Sequence, residues 1–312
     1  MRYLIIGAGG IGCYYGARLQ NSGHSVSYLA RGEHLLTMQQ SGLKVTHEDF
    51  EFCGEVEAFN SQQLIQAKTC NQYDLIILTT KSGATSTTLN ELKSWLKAAN
   101  TPFISLQNGV DNEPLISNVL GNKRTLGGLA VRIGGHIISA GKIEATGPAQ
   151  IILGAWPNSF SCATQEKQVI DNFSEEFNEA SIPTRVSSNI QHELWRKLII
   201  NNGVNPLSAL TNLDTKTLTS HPVLTKTVYQ LMEEVAYVAK ADNVELVKKD
   251  VDEMYDLICT FDAIKTSMLV DKEKGRPLEL DAICGAVLNR AHKLGIETPV
   301  TELINALLLL QE

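Results

Sequence analysis

The chain has 312 residues, 43% of them hydrophobic and 20% charged, ordinary proportions for a globular protein and enough chain for two domains with separate cores. A formal net charge of −7 argues against a nucleic-acid partner, because no basic stripe stands ready to displace counterions, although a local cationic pocket for an anion remains open. No uninterrupted apolar run approaches the ~18 residues of a membrane span, and Arg2–Ile6 opens on a strand-like run rather than a secretory leader, so the expectation is a cytoplasmic protein with no membrane partner.

In chain order, Tyr3–Ile6 reads as a strand, residues 10–22 as a helix ending near Gly23, and Ser25–Leu29 as a second strand. Tyr73–Thr79 is too apolar for a half-exposed strand and reads as a buried parallel one. Residues 86–98 follow as a helix and Pro102–Leu106 as a further strand, a βα rhythm that implies a parallel sheet with helices on its faces. Beyond residue 124, Leu126–Arg132, His136–Thr146 and Gln150–Leu153 read as extended segments forming an antiparallel extension of that sheet. Residues 165–180 form an amphipathic helix. From Ser188, with Gln191 as its capping-box partner, the pattern is helical: about 189–210, 221–242, 250–270, 279–295 and, with Pro299 early in it, 299–311. The predicted architecture is α/β, with an N-terminal Rossmann-type parallel sheet and antiparallel extension over 1–185 and an all-helical domain over 186–312.

The sharpest motif is Gly7-Ala8-Gly9-Gly10-Ile11-Gly12, a G-x-G-x-x-G directly after a strand and opening a helix. Gly7 permits the tight turn, Gly9 lets backbone approach a pyrophosphate, Gly12 lets helix and strand pack closely, and the helix N-terminus offers amide donors; Gly16 leaves further space on the helix. A glycine-rich turn in an unrelated α/β fold is the alternative. The second strand ends Tyr28-Leu29-Ala30-Arg31-Gly32, with no acid before Glu33. Arg31 is therefore either an ordinary exposed arginine or a partner for a 2′-phosphate, the latter favouring NADP(H). A Rossmann module alone also suits FAD proteins and nucleotide sensors.

Lys197, Asn201 and Asn205 recur every fourth residue, which stacks them on one helix face flanked by Leu198, Ile199, Ile200, Val204 and Leu207. Buried polar groups must be paired, so the three are either an internal hydrogen-bonded network or a site. Pro206 should kink the helix just beyond Asn205. Taken alone, Ser267 is a helix-surface serine, Glu279 is equally a helix N-terminal acid or a functional carboxylate, and Asn108 is equally an Asn-Gly turn or a ligand. The cysteines (Cys13, Cys53, Cys70, Cys162, Cys259 and Cys284) form no CxxC pair and read as reduced thiols. The histidines show no metal-ligand spacing, and His192, off the face of Lys197, carries no expected role. No metal is expected.

The glycine motif, Lys81 after Leu75–Thr79, Gln107-Asn108-Gly109, the stretch Trp195–Leu210, Thr266-Ser267-Met268-Leu269 and Leu278-Glu279-Leu280-Asp281 together make the whole chain resemble the ketopantoate reductase (2-dehydropantoate 2-reductase) family. The resemblance implies NADPH-dependent reduction of the 2-oxo group of ketopantoate to (R)-pantoate, on the route to pantothenate and coenzyme A. It implies Lys197 as the catalytic lysine, Glu279 as the acid contacting substrate, Asn201 and Asn205 as substrate-holding asparagines and Ser267 as the carboxylate-binding serine. Asn108 falls near the nicotinamide and reacting centre, Lys81 near the cofactor, and Arg31 at the 2′-phosphate. The chemistry calls for such groups, since hydride addition to a carbonyl places negative charge on oxygen, which a lysine both stabilises and protonates. Desolvation would lower the lysine pKa and a nearby carboxylate would oppose that; Glu279 is expected to orient substrate hydroxyls. The active site is expected in a cleft between the domains. A homodimer through the C-terminal helices is compatible with the family, which includes monomers and dimers.

Three positions depart from the family, one of them, Thr266, keeping the hydroxyl of the usual serine. Ile264 stands where an asparagine three residues before the serine is common, and Pro277 where many relatives have threonine. An isoleucine offers no hydrogen bond, and a missing partner changes specificity strongly. Alternatives are therefore a reductase for another branched 2-oxo acid, or a catalytically silent NADP-binding protein.

Overall fold

The computed structural model describes residues 1–158 and 164–311; the expected thiol of Cys162 lies outside them. The chain divides into two compact units, Met1–Gln107 with Asn112–Ile190, and Asn108–Asp111 with Gln191–Glu312. The first unit therefore holds everything up to Ile190 except a four-residue excursion that belongs to the second.

The strands are β1 (Arg2–Ile6), β2 (Ser25–Leu29), β3 (Leu43–His47), β4 (Phe50–Gly54), β5 (Glu57–Phe59), β6 (Leu75–Leu78), β7 (Phe103–Ser105), β8 (Thr125–Val131), β9 (Gly134–Ser139), β10 (Lys142–Thr146), β11 (Gln150–Ala155) and β12 (Thr184–Val186). The main sheet runs β12-β11-β8-β7-β6-β1-β2-β5, parallel from β8 to β5. Tyr3, Leu4, Ile5 and Ile6 are buried, as expected for a strand covered on both faces. The order reverses at β1, with β6 on one side and β2 on the other. In open α/β sheets a ligand crevice opens outside the strand ends at such a switch point.

β8 and β11 pair antiparallel, extending the sheet as the sequence predicts. His136–Thr146 does not join them: β9 and β10 form a hairpin in a separate four-stranded sheet, β4-β3-β10-β9. The reason lies in the burial pattern. Along β10 buried and exposed residues alternate, the mark of a strand covered on one face, whereas β8 is buried nearly throughout. Residues 32–67, for which the sequence suggests no element, supply the helix Gly32–Ser41, the other two strands of that sheet, β5 and the helix Ser61–Ala67. Arg18, buried on the helix Gly10–Asn21, ties the small sheet down: its guanidinium reaches Asp49 at 2.5 Å and lies 4.3 Å from the centre of the Phe50 ring.

Other boundaries shift for local reasons. The predicted helix 86–98 is two, Thr85–Glu91 and Lys93–Lys97. The expected capping box at Ser188 is displaced: the helix starts at Ile190, which puts Asn189 rather than Ser188 directly before it, and the Asn189 amide donates to Ser187 Oγ at 3.2 Å.

The second unit is helical: Ile190–Thr211, Thr215–Ser220, Leu224–Val238, Lys248–Cys259, Ser267–Glu273, Ala286–Leu294 and Pro299–Leu309. The long helix continues through Pro206 to Thr211, so the proline does not end it. Beside it the buried Asn202 donates to Leu231 O (3.2 Å) and Thr301 Oγ1 (3.1 Å). The predicted helix 250–270 stops at Cys259, because Thr266 starts a new one by accepting from the Leu269 amide at 3.2 Å. Pro299 stands in the first turn of the last helix, whose Val300 and Thr301 amides donate to the buried Glu234 carboxylate at 3.0 and 2.8 Å. Among the described residues no helix is long and apolar enough to cross a membrane.

Candidate active site

The dinucleotide motif sits between β1 and the helix Gly10–Asn21, and its glycines serve different needs. Gly7 has φ +104°, and a Cβ there would stand 2.6 Å from the Thr80 amide nitrogen. A Cβ on Gly12 would stand 2.3 Å from Gly7 O and 2.4 Å from Thr79 Oγ1: this is the close helix–strand contact that the motif predicts. Gly9 faces open space, with nothing within 4 Å of its would-be Cβ, leaving room for a diphosphate against the backbone. Gly10 carries a further constraint. A Cβ on it would meet the Gly135 carbonyl carbon at 2.0 Å, so it must be glycine because β9 crosses it, and only its backbone amide can serve a ligand. Ile11 packs into the core beside it. The space predicted at Gly16 is taken by the Tyr28 ring, 2.4 Å from a Cβ there.

No acid stands in the first turn of this helix, so its N-terminal amides and dipole face a bound anion unopposed. Beside the motif, the loop after β6 brings Thr79, whose hydroxyl donates to Gly7 O at 2.8 Å, then Thr80 and the exposed Lys81. Arg31, at the end of β2, is exposed and pairs with Glu91 at 3.1 Å. His34 braces the motif's helix: its Nδ1 accepts from the Gly141 amide at 3.0 Å and its Nε2 lies 3.8 Å from the Cys13 thiol. Burial lowers the His34 pKa, partly opposed by a bond to the Ala8 backbone, and burial pushes that of Cys13 up, which keeps both neutral. These residues fit a nicotinamide dinucleotide.

Gln107 closes the same unit with a buried network. Its amide donates to Thr80 O (2.8 Å) and Thr85 Oγ1 (2.9 Å), and Thr85 Oγ1 in turn donates to Asn112 Oδ1 (2.9 Å). Both ends of the excursion Asn108–Asp111 are thus fixed through one threonine. The sequence quotes Gln107 but gives no sign of this role, which depends on Thr85.

In the second unit, Lys197, Asn201 and Asn205 follow one another along the helix Ile190–Thr211. Lys197 and Asn201 are half-buried and Asn205 is buried. Asn201 Nδ2 is buried and has no hydrogen-bond partner among the described residues, a state that calls for a ligand or water. Asn108 Nδ2 donates to Glu279 Oε2 at 3.3 Å, so the structure brings together two predicted residues far apart in sequence. Ser267 is the exposed first residue of its helix. Ile264 is half-exposed, and its backbone is fixed by Thr215, whose amide donates to Ile264 O at 3.0 Å.

The Lys197 helix is also tied to the helix Lys248–Cys259 by residues that the sequence does not single out. Arg196 reaches Asp250 at 2.5 Å and Glu253 at 2.6 Å. Burial would raise the Asp250 pKa, but the Val247 amide and Arg196 outweigh it and hold the carboxyl below its usual range. His192 lies 3.3 Å from the same Asp250. Arg290, buried, binds Asp111 and Asp242. Among the described residues no group of three or more His, Cys, Asp or Glu could hold a metal ion.

Comparison with known proteins adds to this geometry. The chain matches the family described as ketopantoate reductase PanE/ApbA over residues 3–158, and that described as ketopantoate reductase PanE/ApbA C terminal over 189–312. It is 28% identical to the 2-dehydropantoate 2-reductase of Pyrococcus horikoshii, over 100% of this chain and 98% of that protein. The crystal structure of 2-dehydropantoate 2-reductase from Geobacter metallireducens superposes with a TM-score of 0.89 at 28% identity, covering 100% of both chains. A ternary structure of D-mandelate dehydrogenase with NADH and anilino(oxo)acetate shares the fold, with a TM-score of 0.88 at 23% identity over 98% of this chain and 96% of that one.

Proposed function

The chain belongs to the ketopantoate reductase family, and from that premise we propose that it reduces 2-dehydropantoate (ketopantoate) to (R)-pantoate with NADPH, serving pantothenate and coenzyme A synthesis in the cytoplasm. The observation that carries this reading is the line Lys197, Asn201, Asn205 on one helix, in the unit where Glu279 accepts from Asn108. The glycine motif would hold the diphosphate, with Lys81 beside it and Arg31 on the 2′-phosphate. The chemistry supplied by the bound dinucleotide is a hydride, delivered to the 2-oxo carbon.

The protein's own groups do the rest. As the carbonyl becomes an alkoxide, the Lys197 ammonium stabilises the developing charge and passes a proton from Nζ to that oxygen. Asn201, with its uncommitted Nδ2, and Asn205 donate to substrate oxygens, and the Ser267 hydroxyl donates to the carboxylate. Glu279, steadied by Asn108, accepts from a substrate hydroxyl. Ile264 supports a second reading. Half-exposed and unable to donate where relatives carry an amide, it suits a different branched 2-oxo acid processed by the same machinery.

Replacing Lys197 with alanine tests the assignment. A lost general acid costs about 10²–10⁴-fold in turnover, while NADPH binding, followed by fluorescence titration, should stay unchanged. Equal loss of both would overturn the role of Lys197.

A further inference from the structure

We propose that Arg290 and Asp111 are positioning residues that hold Asn108 against Glu279, an inference resting on the reading that Glu279 contacts substrate. The excursion Asn108–Asp111 belongs to the second unit and is seated there at two points. At Gly109, φ +94°, a Cβ would lie 3.0 Å from Ala282 O, so the loop lies on the backbone just after Glu279. At Asp111 both carboxylate oxygens are taken by Arg290, NH2 to Oδ1 at 2.7 Å and NH1 to Oδ2 at 3.3 Å. This paired geometry fixes direction as well as distance.

Arg290 is itself immobilised. Its Nε donates to Asp242 Oδ2 at 2.8 Å and its NH1 to Ala286 O at 3.2 Å. Its guanidinium carbon lies 5.3 Å from the centre of the Trp195 ring, two residues before Lys197. One cation thus fastens the Asn108 loop and packs on the helix of the proton donor. Arg290 is buried but the Asp111 side chain is half-exposed, and a pair reached by solvent is a poor source of stability, so geometry is the better account of this one. The 3.3 Å bond from Asn108 to Glu279 is long, and a small displacement of the loop would break it.

The test compares two carboxylates on the same arginine. Asp111→Ala and Asp242→Ala each remove one partner of Arg290, but only Asp111 lies on the Asn108 loop. In the full-length protein labelled with [15N]asparagine, the Asn108→Ser variant assigns the Asn108 side-chain amide. The expected result is that this resonance moves to the position of a solvent-exposed asparagine in Asp111→Ala, shifts distinctly less in Asp242→Ala, where Arg290 keeps Asp111 and Ala286 O, and is partly restored in Asp111→Asn, which keeps an acceptor oxygen. With the preferred 2-oxo acid, kcat falls about tenfold or more in Asp111→Ala, as displaced reacting groups do, and falls clearly less in Asp242→Ala, although both lose thermal stability. An unmoved Asn108 resonance in Asp111→Ala, or equal effects of the two alanine variants, would overturn the proposal. If the wild type turns over no 2-oxo acid, the proposed function fails, while the resonance still decides the clamp.

Discussion

Arg31 and Glu91 meet at 3.1 Å on an exposed surface, where a 2′-phosphate would compete with the glutamate for the guanidinium. Exposed pairs are worth about 0–1 kcal/mol, so the competition is mild. Glu91→Gln should tighten NADPH by up to about fivefold and leave NADH unchanged; parallel fluorescence titrations check this, and equal changes for both dinucleotides would remove Arg31 from the phosphate site. Ile264 allows a similar test. Its backbone is fixed by Thr215 while its side chain is half-exposed, so Ile264→Asn should change stability by less than about 0.5 kcal/mol. The restored amide should lower KM for ketopantoate by about two- to tenfold, the worth of one hydrogen bond. An unchanged KM would place position 264 outside the substrate contacts.

At the scale of elements, the dinucleotide turn predicts a split between neighbouring glycines. Gly9→Ala meets nothing and should keep the melting temperature while weakening NADPH binding. Gly10→Ala drives a methyl into the Gly135 backbone and should cost about 1–3 kcal/mol of stability. Thermal unfolding with and without NADPH separates the two. The motif is legible in sequence because strand, turn and helix lie within a few residues of each other, whereas the demand on Gly10 is set by a distant hairpin. The strands β3, β4 and β5 escape a sequence reading because none is longer than 5 residues, too short a run for periodicity to stand out. The 250–270 helix is read as unbroken because apolar residues continue through the gap, and the bonds that define the gap run to Thr215. Arg290 gives no local signal, since its carboxylate partners lie 48 and 179 residues away.

For the whole molecule, pH dependence follows from histidines held neutral. Burial lowers the pKa of His34 and, with help from the N-terminal amine, that of His24. An unfolded histidine titrates near about 6.5, so below that value the unfolded state binds more protons and stability falls as pH drops through the folded values. The melting temperature should be flat between about pH 7 and 8 and decline below about 6.5, with a shallower decline in His34→Asn; an unaltered slope would show that His34 is not held neutral. Carboxylates lowered by their partners, such as Asp250, add their loss only below about pH 4.

Steady-state oxidation of NADPH against a panel of 2-oxo acids, ketopantoate included, bears most directly on what the protein does. The account predicts turnover, with ketopantoate ahead of the other acids. Another branched 2-oxo acid in front would keep the Lys197 chemistry and move specificity to Ile264. Tight NADPH binding with no turnover of any 2-oxo acid would contradict the account and leave a protein that binds the dinucleotide without using it.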